Sequence, residues 1–172
     1  MFREMRRRPQ LLGDEETLSI IENCSYGVLA LIGDGGYPYT VPLNYVYSDG
    51  KIYFHGAKVG HKVDAVRSEE RASFCVVDQD KVVAEEYTTY FRSVIAFGRA
   101  RIVEDEEEKY RIVEMMAKKF YPDDTDENRK ATIAKGFANV GVMELAIEHM
   151  TGKEHIKIIR AREAAKEEET AK

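Results

Sequence analysis

The sequence predicts a mainly β protein, a small antiparallel β-barrel with peripheral helices. Six segments are rich in β-branched, aromatic and other apolar residues, and tight turn signals join most of them. A few helical patterns lie between these segments without the regular alternation of an α/β fold. The six strand candidates are Gly27–Ile32, Tyr37–Tyr47, Lys51–Phe54, Arg71–Val77, Tyr90–Val103 and Val140–Ile147.

The size and composition of the chain indicate one globular domain. The chain has 172 residues, of which 44% are hydrophobic and 33% charged. We expect a basic arm at residues 1–13, the barrel domain at 14–159 and a charged tail at 160–172, either frayed helix or disorder. The arm, with arginines at 3, 6, 7 and 8, is predicted to be a mobile tail or a strap that reaches a partner subunit.

The net charge and the two cysteines indicate where in the cell the protein is located and which classes of partner it does not bind. A net charge of -5 argues against nucleic-acid binding, which needs a strongly basic face. No apolar run approaches the roughly 18 residues that a membrane span requires, and no secretory signal follows the basic N-terminus. Cys24 and Cys75 lie in apolar runs without metal-ligand spacing, so we interpret them as small buried residues. These features predict a cytoplasmic protein with neither nucleic-acid nor membrane partners.

The strand candidates carry several local predictions. The glycine-rich run 33–36 after the first strand candidate predicts a hairpin. Prolines at 38 and 42 predict that Tyr37–Tyr47 is an edge strand, bulged, or interrupted at Val41-Pro42. The polar stretch Asp78–Thr89 is predicted to be a long loop or an irregular excursion, and Gly98 to mark a bulge or a close backbone approach.

Helix signals complete the prediction. Asp14 is a candidate N-cap for a short helix that ends near Asn23. Acidic residues at 104–108 favour the start of a helix that ends at Tyr121-Pro122, and a second short helix runs to about Ala138.

The stretch around residues 51–70 is the most informative for function. A strand, Lys51–Phe54, leads through a glycine-rich connection, residues 55–60, into a helix whose first turn contains His61 and Lys62. Cations are unfavourable at the positive end of a helix dipole, but an anion bound at the helix start would make them favourable. The stretch therefore predicts either a phosphate site or, alternatively, a solvated lysine at an ordinary loop-to-helix joint.

Several common catalytic motifs are absent. There is no GxGxxG after a strand and no GxSxG, and Thr151-Gly152-Lys153 lacks the earlier glycine of a P-loop. The four histidines lack zinc-ligand spacing, so no metal site is predicted. A small barrel with a phosphate-compatible corner and no evident protein nucleophile favours a bound cofactor that supplies the chemistry.

Three segments, in the order in which they follow one another along the chain, resemble those of a known protein family. The order Tyr39–Asn44, then Ile52–Ala57, then Gly60-His61-Lys62 resembles the FMN-binding split-barrel proteins, the superfamily of pyridoxamine 5'-phosphate oxidase. The strand start Phe91–Val94 and the closing segment Met150–Glu154 are similar to the branch related to nitroimidazole-resistance reductases. The resemblance implies a six-stranded antiparallel split barrel that forms a homodimer with two flavin sites at the subunit interface.

The resemblance also implies roles for individual residues. Val41, Pro42, Leu43 and Asn44 would lie along the isoalloxazine edge, and His55, Gly56 and Ala57 beside the ring and ribityl chain. His61 and Lys62 would hold the phosphate, and Arg92 and Ser93 would reach the phosphate or ribityl chain, in the same subunit or across the dimer. His55 is the candidate catalytic proton donor.

The predicted function is that of an FMN-dependent oxidoreductase. Electrons from a nicotinamide or flavin donor would pass to a small-molecule acceptor such as a nitroaromatic. The alternatives are a flavin-binding module or sensor without turnover, and a pyridoxamine-phosphate-oxidase-like enzyme. The last is disfavoured by the absence of tryptophan and of an Arg-x-Val-Leu-Leu-Lys stretch. A deazaflavin or heme is the alternative cofactor.

Overall fold

The computed structural model describes residues 2–170, which form seven β-strands and five α-helices. The strands are β1 (Tyr26–Ile32), β2 (Pro38–Asn44), β3 (Val46–Ser48), β4 (Lys51–Ala57), β5 (Arg71–Val83), β6 (Thr88–Ile102) and β7 (Val140–Glu154). The helices are α1 (Asp14–Asn23), α2 (His61–Ser68), α3 (Glu106–Phe120), α4 (Asp126–Gly136) and α5 (Ile156–Thr170). None of the helices among the described residues is long and apolar enough to cross a membrane.

All seven strands belong to one antiparallel sheet in the order β2-β1-β5-β6-β7-β4-β3. The two edge strands, β2 and β3, are joined by the single residue Tyr45. The sheet must therefore curl until its edges meet, as in a split barrel. The predicted mainly β, antiparallel architecture is confirmed. The predicted number of six strands is not, because the sheet has seven strands and its edges are not hydrogen-bonded into a closed ring.

Tyr45 divides the segment that was predicted as one strand. Its side chain is fully buried, its hydroxyl donates a hydrogen bond to the Ile21 carbonyl at 2.7 Å, and its ring meets Phe74 edge-on at 4.9 Å. The interruption thus lies at Tyr45 and not at Val41-Pro42, which was one of the three predicted alternatives. The edge position of β2 is confirmed, and pairing on one side only allows the strand to contain two prolines.

The central hairpin is longer than predicted. Residues 78–83 continue β5 and residues 88–89 begin β6, so the expected loop at Asp78–Thr89 is wrong except for a short turn at 84–87. Most side chains at 78–83 are exposed, which explains their loop-like composition. The prediction for Gly98 is confirmed, because the register shifts there and an added Cβ would lie 1.9 Å from the Ala146 carbonyl oxygen.

Strand β7 also exceeds its predicted length. It runs to Glu154 and pairs with β6 on one side and β4 on the other. It therefore connects the site described below to the rest of the sheet. The main core lies inside the curled sheet and includes Leu29, Phe54, Phe74 and Leu145, and a second cluster packs α3 against β3, β4 and β7.

Both ends of the chain contact the rest of the fold. α1 is capped by Gly13 rather than Asp14, since the Gly13 N–H donates to Glu16 Oε2 at 2.9 Å. Phe2 stacks on His149 of β7 with 4.8 Å between ring centroids, so the arm packs against its own sheet. The tail is helical as α5, and its last two residues lie outside the described range.

Candidate functional site

The site begins where β2 meets β4. Val46 of β3 pairs with Tyr53 of β4, and this register continued by two residues places Asn44 opposite His55. Asn44 and His55 line one cavity of about 370 Å³. The Asn44 amide donates to the Ser25 carbonyl at 3.0 Å, which fixes its orientation. These two predicted site residues are therefore brought together.

The His55-Gly56-Ala57 segment is part of β4, so its prediction as part of a connecting loop is wrong. It pairs with Val142, Gly141 and Val140 of β7. Glycine at 141 permits this pairing, because an added Cβ there would lie 2.8 Å from the Ala57 carbonyl oxygen. The backbone-rich composition thus reflects two closely packed strands.

Lys62 lies directly over the backbone of β4. Its ammonium nitrogen is 2.6 Å from the position that a Cβ on Gly56 would occupy, so glycine leaves the space for it. Lys62 is half-buried. Within the described part of the chain no carboxylate forms an ion pair with it, whereas the neighbouring His61 does have a nearby acid, Asp34. The corner therefore holds a positive charge without a protein counter-charge.

The start of α2 presents backbone donors beside Lys62. Gly60 precedes the helix with φ +121°, a left-handed conformation that favours glycine. Its carbonyl oxygen accepts from the Val63 and Asp64 N–H groups, at 2.8 and 3.1 Å. The N–H groups of His61 and Lys62 precede these and have no acceptor within the helix. Free N–H groups, the helix dipole and an ammonium group together suit an anion.

The His61 ring is directed away from this helix start. It stacks on Tyr39 of β2 with 4.1 Å between ring centroids. Its Nε2 accepts the Asp34 N–H at 3.4 Å and lies 3.9 Å from the Asp34 carboxylate. The imidazole therefore joins α2 to the turn between β1 and β2, and the backbone N–H of His61 remains its contribution to an anion site.

His55 is the titratable group of the cavity. Desolvation by the cavity walls and, second, the nearby Lys62 ammonium hold the pKa of His55 below its ordinary value. The ring is therefore mainly neutral at pH 7. In that form one ring nitrogen donates and the other accepts a hydrogen bond.

Arg92 and Ser93 pair with the opposite end of β7 from His55. Their partners in β7 are Glu154 and Lys153, whereas the partner of His55 is Val142. The twelve residues from Val142 to Glu154 correspond to roughly 40 Å of extended strand. Within one subunit the structure does not bring this pair to Lys62.

Arg92 is also ion-paired. Its Nε lies 3.2 Å from Glu154 Oε1 and its Nη1 lies 3.4 Å from Asp78 Oδ2. Glu154 is 1% exposed and also meets Arg162 of α5 at 3.2 Å.

Two helices contribute residues that the sequence did not single out as functional. α3 and α4 form the cavity wall opposite Asn44 and His55, with Val113, Met116, Ala117, Phe120, Thr132, Ile133 and Gly136. Part of the apolar face of α3, including Ile112 and Met116, packs in the second core cluster. One signal of a second role is Phe120, which is 44% exposed at the end of the helix.

The chain belongs to a known family. The family model described as pyridoxamine 5'-phosphate oxidase matches residues 13–154, so the chain is a member of that family. No significant match exists among curated proteins.

Solved structures share the fold. A conserved hypothetical protein from Mycobacterium tuberculosis is 22% identical over 90% of this chain and 92% of its own, with a TM-score of 0.77. A protein from Bacteroides thetaiotaomicron, provisionally named as a 5-nitroimidazole antibiotic resistance protein, is 23% identical over 83% and 85%, with a TM-score of 0.68. The FAD and heme binding protein from Mycobacterium smegmatis is 20% identical over 86% and 73%, with a TM-score of 0.70.

Proposed function

We propose that the protein is an FMN-dependent oxidoreductase that reduces a small electrophile. The observation that carries the proposal is the corner formed by β4 and α2. There, the Lys62 ammonium lies over Gly56 beside free backbone donors, and His55 is the residue directly before Gly56 on the same strand. Family membership supports a flavin as the anionic ligand.

The residues of this corner fit a phosphorylated flavin. Lys62 and the backbone N–H groups of His61 and Lys62 would hold the phosphate. Gly56, without a side chain, leaves the β4 backbone open to the ribityl chain and ring. Val41–Asn44 on the neighbouring edge strand would line the isoalloxazine. When bound, FMN supplies the redox chemistry, accepting two electrons from a nicotinamide or flavin donor and passing them to the acceptor.

His55 would supply a proton to the reduced acceptor. Two-electron reduction of a nitro or quinone oxygen creates a basic site, and the overall reaction takes up a proton there. Lys62 lowers the pKa of His55, and a bound phosphate would offset that effect. Flavin binding would therefore favour the protonated, donating form of His55.

We further propose that two subunits form a two-fold dimer. The outer face of β1, β5 and β6 carries exposed apolar side chains: Tyr26 (60% exposed), Val28 (37%), Val77 (51%) and Ile95 (42%). Val28, Cys75 and Ile95 lie in one row across the three strands. A contiguous apolar face of this kind is typical of an interface between copies. In such a dimer Ser93 would be able to reach the flavin of the other subunit, whereas Arg92 is ion-paired with Asp78 and Glu154 of its own subunit.

The cofactor test is direct. Purified protein is expected to be yellow, or to take up added FMN, with a flavin absorbance spectrum and FMN in the extract. With NAD(P)H and a nitroimidazole or quinone, the wild type should turn over faster than free FMN. His55→Ala should lower this rate, while His149→Ala, on the outer sheet face, should not. A colourless protein that binds no FMN would end the proposal, and turnover indifferent to His55→Ala would remove the proton donor alone.

The dimer test is separate. Light scattering of the wild type should give twice the subunit mass, and Ile95→Glu should reduce it toward the monomer mass by placing charges in the interface. Val82→Glu is the control, since Val82 is 71% exposed in the hairpin beyond the apolar face. A wild-type monomer that still holds flavin would refute the dimer.

A further inference from the structure

The outer face of the sheet carries a lysine within the proposed dimer interface. Lys153 of β7 pairs with Ser93 of β6, which pairs in turn with Val77 of β5, one of the exposed apolar residues of that interface. Gly152 and Glu154, on either side of Lys153, are buried. Because side chains alternate between the two faces of a sheet, Lys153 lies on the outer face together with Ser93 and Val77.

The charge of Lys153 is not paired within the subunit. In the part of the chain that the structure describes, no ion pair involves Lys153, whereas the adjacent Glu154 pairs with two arginines. The Lys153 ammonium lies 5.0 Å from the centre of the Phe91 ring, and the side chain is half-buried. A dimer formed through this face would remove further water from the ammonium group. That desolvation is unfavourable unless the partner subunit presents an anion.

Lys153 shares these properties with the lysine of the proposed phosphate site. Among the described side chains, Lys62, Lys119 and Lys153 are the basic residues that are half-buried without an ion pair. Lys119 donates to the Cys24 carbonyl at 2.7 Å and so has a partner in its own subunit. A phosphate monoester carries about -1.5 to -2 charges at pH 7, which is more than one ammonium group offsets. The phosphate of FMN would therefore be better neutralised by two lysines than by Lys62 alone.

Lys62 and Lys153 of one subunit are far apart. Lys62 lies over Gly56, which pairs with Gly141 near the start of β7, while Lys153 lies near its end. The twelve residues from Gly141 to Lys153 correspond to roughly 40 Å of extended strand. Both lysines can therefore contact one phosphate only if they come from different subunits.

We propose that Lys153 of the partner subunit completes the phosphate site at Lys62. Each flavin phosphate would contact Lys62 and the first N–H groups of α2 in one subunit, and Lys153 in the other, with the Ser93 hydroxyl beside it. The inference rests on the proposed flavin function and on the proposed dimer. It makes each flavin site incomplete without the second copy of the chain.

The first test is flavin affinity, measured by fluorescence titration. Lys153→Ala should raise the Kd for FMN by about tenfold or more, the effect of a lost charge-assisted contact, while Lys153→Arg should raise it less. Lys81→Ala, at an exposed position in the β5–β6 hairpin, is the control and should leave the Kd unchanged. Riboflavin has the same ring and ribityl chain without the phosphate. Its affinity should be the same in the wild type and in Lys153→Ala.

The second test asks which subunit supplies each lysine. Lys62→Ala and Lys153→Ala chains carrying different affinity tags are co-expressed, and dimers that contain both tags are isolated. One site of such a dimer has both lysines and the other has neither. The mixed dimer should therefore bind one FMN with wild-type affinity, although both parent dimers bind weakly. If both lysines served one site within a subunit, each site of the mixed dimer would lack one lysine, and no wild-type affinity would return.

The outcomes separate this inference from the proposals on which it rests. FMN binding that is unchanged in Lys153→Ala, or an equal loss of riboflavin affinity, would overturn the role of Lys153 and leave the flavin function in place. A mixed dimer without a wild-type site would overturn the contribution across the interface. A wild-type protein that binds no FMN would end the flavin function, and the inference with it.

Discussion

Two basic residues predicted to contact the flavin's phosphate or ribityl chain have opposite surroundings. Lys62 lies over Gly56 with no carboxylate ion-paired to it in the described part of the chain. Arg92 lies between Asp78 and the buried Glu154. The charge of Arg92 is thus compensated within the subunit, and that of Lys62 is available to a ligand.

Arg92 and the residues ion-paired around it stabilise the fold. Glu154 on β7 forms ion pairs with Arg92 on β6 and Arg162 on α5, and Arg162 also lies 3.4 Å from Glu16 on α1. One carboxylate therefore connects the sheet to a C-terminal helix, which is joined to an N-terminal helix. A positively charged residue therefore indicates a ligand site only when no carboxylate of the protein pairs with its charge.

Glu154→Ala should give the largest effect. It leaves Arg92 and Arg162 without their buried partner, and breaking a buried pair costs about 3 kcal/mol in the free energy of unfolding. Urea denaturation measures this. The control is Glu148→Ala, which removes an exposed partner of Arg99 and should cost less than about 1 kcal/mol. Equal losses in the two variants would contradict the structural role.

Lys62→Ala should weaken FMN binding and leave the stability of the protein nearly unchanged, in contrast to Glu154→Ala. FMN affinity should fall by about 1.5–3 kcal/mol for a lost charge-assisted contact, while the free energy of unfolding of the flavin-free protein changes by less than about 0.5 kcal/mol. Fluorescence titration of FMN measures the affinity, with the exposed Lys130→Ala as control. Arg92→Lys should change affinity less than threefold. A loss as large as that of Lys62→Ala would mean that Arg92 reaches the phosphate across the dimer.

Gly56→Ala should have a smaller effect, which weakens FMN binding and slightly increases the free energy of unfolding. The added methyl displaces the Lys62 ammonium, which is at the far end of a flexible side chain. FMN binding should weaken by a few-fold, while the free energy of unfolding rises by about 0.5 kcal/mol because alanine restricts the unfolded chain. The same two titrations measure both. Unchanged FMN affinity would contradict the position of Lys62 over Gly56.

The pH dependence of His55 should be the smallest effect. Its folded pKa is lowered, so the unfolded state binds protons more readily, and stability is lost as pH falls below the unfolded value of about 6.5 and through the lower folded value. The melting temperature of the flavin-free protein should therefore fall more between pH 7.5 and about 5.5 than that of His55→Asn. With FMN bound the difference should shrink. A larger fall in melting temperature for His55→Asn than for the wild type would refute the prediction.

Sequence reasoning predicted the parts of this site that depend on local pattern. The glycine-rich joint, Lys62 in the first helical turn and the edge strand with prolines are all properties of neighbouring residues. The expected loop at Asp78–Thr89 failed because a hairpin exposed on both faces has the composition of a loop. The α3–α4 wall was missed because a helix face that packs on a core and one that lines a cavity share the same periodicity. The pairing of Arg92 with Glu154 depends on strand register over 62 residues, which no local pattern specifies.

The central position of β7 has a consequence for biosynthesis. β7 comes last among the strands, yet it separates the β2-β1-β5-β6 portion of the sheet from β4 and β3. A nascent chain that has not yet released residues 140–146 from the ribosome cannot form the ladder that holds His55 and Gly56. Such distant pairings slow folding. The β4 part of the corner proposed to bind FMN is therefore completed only after the start of β7 has been synthesised.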